Sequence, residues 1–167
     1  MATSHEKQAF LDTYDREHQT TMKVLRAYPM EELELRPHPT SRTARELAWT
    51  FVLERGLGER GFNDEFPEKA TGEIPEPPTD WLRLLAALEE STDRFRQLVA
   101  STPPEELDRK VRFFTAPKTI GEITRMAMLW FLLHDEIHHR GQFSVYLRMA
   151  GGRVPSIYGP SADEPWM

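Results

Sequence analysis

The chain has 167 residues, of which 39% are hydrophobic, carries a formal net charge of −6 and contains no cysteine. That length and apolar content suffice for one domain, 1–167, with its own core, and the lack of thiols excludes a disulfide framework, a thiolate metal site and a cysteine nucleophile. Interspersed charges without a basic stripe argue against nucleic-acid binding, and the longest apolar run, Met126 to Leu133, falls well short of the roughly 20 residues a membrane span requires.

The start, Met1-Ala2-Thr3-Ser4-His5-Glu6-Lys7, shows no basic region followed by an apolar stretch and does not read as a signal peptide, so a cytoplasmic location is expected. From Glu6 to Tyr28, Phe10, Leu11, Tyr14, His18, Thr21, Met22, Leu25 and Tyr28 recur at steps of three and four, which predicts a first helix ending before Pro29. His18 lies on its apolar face as a core histidine that can also line a pocket. A second helix begins near Thr40 to Thr43, where Thr43 and Glu46 have capping-box spacing. Its stripe takes in Leu47, Thr50 or Phe51, Glu54 and Leu57, and Gly56, Gly58 and Gly61 weaken its end.

Between Phe66 and Thr79 four prolines, Gly72 and several acids predict the main loop. A third helix is expected from about Asp80 to Ala100, with Pro103-Pro104 closing it. Glu105 to Phe114 reads as irregular, since one short extended segment around Val111-Arg112-Phe113 cannot make a sheet alone. The fourth helix is expected to open at a second capping box, Thr119 with Glu122, and to run to about Ala150, where Gly151-Gly152 supply a left-handed stop. Its segment Met126 to Leu133 is apolar all round, which points to contact with a second subunit. The tail from Val154 to Trp166 is rich in Pro, Gly and aromatic residues and is expected to pack back on the domain or across a dimer. The whole is an all-α, four-helix bundle with a long loop between helices 2 and 3 and an extended C-terminal tail.

The chemistry concentrates in His134-Asp135-Glu136-Ile137-His138-His139-Arg140-Gly141-Gln142. At helical spacing this stretch contains two candidate ligand pairs, His134 with His138 and Asp135 with His139, which point about 100° apart so that one pair faces a single pocket. Either is half of a divalent-metal site that needs further ligands from another helix. Trp49 and Trp130 read as core aromatics, and Arg140 and Gln142 as candidates to fix the tail or a ligand.

The segment from His138 to Arg148, followed by Val154-Pro155-Ser156-Ile157-Tyr158-Gly159-Pro160-Ser161-Ala162-Asp163-Glu164, resembles the end of DinB (DinB/YfiT-like) proteins. Leu35-Arg36-Pro37 and Ser41 to Trp49 resemble the same family's loop and second helix. The resemblance implies a four-helix bundle, often a homodimer, holding a divalent metal on three histidines, and relatives that include thiol-dependent transferases and isomerases. It places those three ligand positions on Thr50, Asp135 and His139, so two of the three histidines are replaced. A threonine hydroxyl is a poor ligand, and affinity for zinc, nickel or manganese is expected to fall. Three arrangements remain open: an empty site with Asp135 accepting a hydrogen bond from His139; a site rebuilt with Glu54 or Glu17; or a metal-free His/Asp general base. The preferred expectation is a degenerate site that binds a small molecule in a pocket lined by Thr50, His138, His134 and His18. The alternative is an active divalent-metal-dependent enzyme, a thiol-dependent transferase or hydrolase, using Asp135, His139 and Glu54.

Overall fold

The computed structural model describes residues 2–66 and 74–167; part of the expected main loop, residues 67–73, lies outside them. Among the described residues four long helices form the bundle: α1 Ser4–Arg26, α2 Ala44–Phe62, α3 Trp81–Ser101 and α4 Arg125–Met149. Their starts follow local hydrogen-bond chemistry. Thr3 accepts from the Glu6 N–H, and Asp80 accepts from the Leu82 and Arg83 N–H groups. Thr43 and Glu46 close a reciprocal capping box at 3.1 and 2.7 Å. At the far end of α4, Gly151 adopts φ +79, the left-handed conformation that lets the chain turn out of the helix.

The stretch before α4 departs from the expectation of irregular chain followed by a capping box. Residues β1 Lys110–Ala116 and β2 Thr119–Thr124 pair as an antiparallel hairpin, with a bulge between Phe114 and Ala116 and Lys118 at φ 58 in its turn. Thr119 and Glu122 therefore lie in β2, and the cap of α4 is Thr124, whose hydroxyl accepts from the Ala127 N–H at 3.1 Å. The hairpin is stable because one face is buried: Val111 and Phe113 are 1% and 0% exposed against the bundle. Asp64, at the end of α2, accepts the Arg112 N–H and ties β1 down.

That hairpin also accounts for the apolar start of α4. Met126, Met128, Leu129, Leu132 and Leu133 are buried within the chain, Trp130 packs edge-on to Phe10, and Phe131 stays half exposed beside Phe113. Nor do the glycines of α2 end it early. A Cβ at Gly58 would lie 2.9 Å from Leu132 and Phe95, and one at Gly61 would lie 2.8 Å from Met128, so these glycines let α2 approach its neighbours closely.

The apolar interior is divided in two. One cluster, around Phe10, Phe62, Phe95, Phe113 and Leu129, fills the hairpin end. The other, around Leu25, Phe51, Leu88, Phe143 and Leu147, fills the opposite end. Between them every helix contributes polar side chains to one buried layer: Glu17 and Thr21 from α1, Arg55 from α2, Thr92 from α3, and Glu136 and Arg140 from α4. No helix among the described residues is long and apolar enough to cross a membrane.

Candidate functional site

At the level of this polar layer, α2 and α4 bring together Glu54, Asp135 and His139, whose ligand-type atoms all lie within 4.8 Å of one another. His139 Nε2 is 3.2 Å from Glu54 Oε1 and 3.8 Å from Asp135 Oδ2. The closer partner of His139 is thus Glu54 and not Asp135, contrary to the hydrogen bond expected within α4. The other ring nitrogen, Nδ1, sits 3.0 Å from Gln142 Oε1, which fixes the ring and leaves Nε2 for the two carboxylates. Phe51 places its ring edge-on to His139 on the inner side.

The electrostatics are unbalanced. Burial pushes the Glu54 carboxyl above its usual range, and the Asp135 charge adds to that shift against the pull of His139. The hydrogen bond to Glu54 raises the His139 imidazole above its usual value, in opposition to its partial burial. Even a charged imidazole offsets only one of two carboxylates. Glu54 Oε2 is buried with no hydrogen-bond partner, and an ionised oxygen in that state is costly unless a cation neutralises it. Two carboxylates and an imidazole suit zinc, manganese or nickel, so the residues present fit a divalent ion.

Thr50, one turn before Glu54, is buried, but its hydroxyl is already committed. It donates to the Glu46 carbonyl and accepts from Arg42 Nη1. The remaining expected pocket residues lie elsewhere. His134 and His138 are exposed on the outside of α4, where His134 lies against Trp130 and His138 hydrogen-bonds Gln142. His18 faces α3, with Nδ1 3.3 Å from Thr92 Oγ1, and burial, helped by the Arg55 charge, lowers its pKa. Glu17 pairs with Arg140 at 2.7 Å, away from the trio. Gln142 holds His139 and not the tail. The trio opens to solvent on the Asp135 side, and two clefts of about 310 and 270 Å³ involve none of its residues, one lined by Tyr28 and Trp81, the other by Asp108 and Trp130.

Behind the trio lies a network that spacing arguments missed. Arg55 donates to Glu136 at 2.6 Å and to Thr92 at 3.3 Å, and Thr21 donates to the second Glu136 oxygen at 2.7 Å. Arg140 donates to the Glu17 carboxylate and to the Tyr158 hydroxyl, which itself donates to Glu17 at 2.6 Å. Burial alone would raise the Glu17 pKa, but the bonds from Tyr158 and Arg140 outweigh it and hold the carboxyl below its usual range. The tail thus closes over the polar layer, as its composition suggested. Tyr158→Phe removes one donor and one acceptor from this clasp, and a loss of about 1–2 kcal/mol is expected in urea unfolding; an unchanged midpoint would show the clasp to be energetically idle. The signal for the network is present in the sequence: Leu132, Leu133, Glu136, Arg140, Phe143 and Leu147 form one buried stripe at helical spacing, with Glu136 and Arg140 inside it.

A four-helix bundle with a carboxylate and imidazole cluster between its second and fourth helices defines the class of protein. The chain belongs to the DinB family, whose model matches residues 1–166. It is 28% identical over 156 residues to the uncharacterized protein YrdA of Bacillus subtilis (strain 168), covering 93% of this chain and 89% of that protein. Among solved structures it is similar to a DinB-like protein from Bacillus cereus ATCC 10987, with a TM-score of 0.76, 25% identity and coverage of 90% of this chain and 97% of that one. It also shares its fold with YfiT from Bacillus subtilis, described as a probable metal-dependent hydrolase with an unusual four-helix bundle topology, at a TM-score of 0.65, 15% identity and coverage of 90% and 91%.

Proposed function

We propose that this chain is a divalent-metal-dependent hydrolase of a small molecule, with Glu54, Asp135 and His139 as the metal-holding residues. The observation that carries this reading is the buried, unpartnered Glu54 Oε2 beside two further ligand-type atoms. The description of YfiT supports the hydrolase class. When bound, such an ion supplies Lewis-acid polarisation of a carbonyl or phosphoryl oxygen and of water. The chain's own residues do the rest. Gln142 orients His139 through Nδ1, Phe51 and the buried Glu54 keep water from the inner side, and Asp135, 38% exposed, borders the side from which a substrate enters.

A second reading keeps the site metal-free, as a small-molecule pocket. Its support is the direct Glu54–His139 contact, which pairs those two groups without an ion. Elemental analysis separates the two. Protein purified without a histidine tag and dialysed against zinc, nickel or manganese is expected to retain about one equivalent of one of them. Retention of less than about a tenth of an equivalent of each would leave the pocket reading. A thiol-dependent transferase would differ from the hydrolase in requiring an added thiol for turnover.

A further inference from the structure

Arg42 is bound to Thr50, one turn before Glu54 on α2, and is anchored twice. Its backbone carbonyl accepts from the Tyr146 hydroxyl of α4 at 2.9 Å, and its Nη1 donates to Thr50 Oγ1 on α2. The side chain is nevertheless exposed, and among the described residues no carboxylate pairs with it. Most arginines of this acidic chain that approach the helices do have such a partner: Arg45 meets Glu34, Arg55 Glu136, Arg96 Asp15 and Arg140 Glu17. An ordered guanidinium with free N–H groups recognises a planar anion through two parallel hydrogen bonds, and holding the fork in advance lowers the entropic cost of doing so.

We infer that Arg42 anchors a carboxylate on the substrate, an inference that rests on the hydrolase reading above and adds its substrate class. Thr50 and Glu54 are four residues apart on α2, a rise of about 6 Å. The guanidinium that Thr50 holds is thus about one helical turn along α2 from Glu54. The substrate is a small carboxylic acid. Thr50 acts in this site as the holder of the guanidinium and not as a metal ligand, and a positioned cation occupies the space beside it.

Acetate is the probe, titrated into full-length protein in chloride-free buffer, metal-free and zinc-loaded, with the Arg42 Nε–H resonance and calorimetry as readouts. Saturable binding is expected in the wild type, with affinity at least about tenfold lower in Arg42→Gln. Thr50→Val is expected to weaken acetate several-fold while leaving zinc affinity within about twofold, because it frees the fork without removing a ligand. Acetate affinities within about twofold in wild type and Arg42→Gln, in both metal states, overturn the inference, as does loss of zinc in Thr50→Val. Zinc retention with acetate indifferent to Arg42 defeats this inference alone. Acetate binding that depends on Arg42 in a protein that retains no metal defeats the hydrolase reading alone.

Discussion

Replacing Glu136 by Ala is expected to destabilise the protein by about 3–5 kcal/mol, the cost of leaving a buried charge without its partner. Arg55 is 2% exposed and Glu136 fully buried, and their contact is 2.6 Å. Burial alone would lower the Arg55 pKa, but the Glu136 charge outweighs it and keeps the guanidinium protonated. Losing Glu136 therefore strands a buried cation beside the Tyr14 ring. It also removes the acceptor of the Thr21 hydroxyl. Against a typical total stability of about 5–15 kcal/mol, this single change removes a large fraction of what holds the fold. Urea unfolding measures it directly, and a loss below about 1 kcal/mol would show that the layer carries little stability. Combining Glu136→Leu with Arg55→Met is expected to restore most of the loss, since the penalty belongs to the unpaired charge and not to the missing pair.

The second large effect concerns the trio. His139→Ala is expected to weaken divalent-metal binding by at least about a hundredfold, because it removes the one neutral nitrogen and leaves two carboxylates that repel each other across an open gap. The same substitution is expected to cost the fold less than Glu136→Ala, since the Glu54 carboxyl, already pushed up by burial, can take a proton once its imidazole partner is gone. Metal content and unfolding midpoint, measured on the same sample, separate the two effects. An alanine variant that keeps its metal would remove His139 from the site. A variant that loses both metal and fold would make the imidazole a structural group.

Much of this was legible in the chain. The helices followed from three- and four-residue spacing, the α2 start from Thr43 and Glu46, and the return of the tail from its composition. The hairpin was not legible, because Thr119 and Glu122 have the spacing of a capping box and only the pairing with Val111 and Phe113 shows that the segment is extended. The trio was reached in part. Asp135 and His139 stood out as an i,i+4 pair and Glu54 as a neighbour on the α2 stripe, but His134 and His138 have the same spacing as Asp135 and His139 and lie outside. What decides between the pairs is which face of α4 is buried, and the inward residues Glu136 and Arg140 mark that face although their charge disguises them as surface.

Each member of the trio is adjacent in sequence to a member of the buried layer: Glu54 to Arg55, Asp135 to Glu136, His139 to Arg140. Amide hydrogens in such a layer are expected to exchange among the slowest in the domain. The backbone that carries Glu54, Asp135 and His139 is therefore expected to open rarely, and a ligand arriving from the Asp135 side to meet groups already in place.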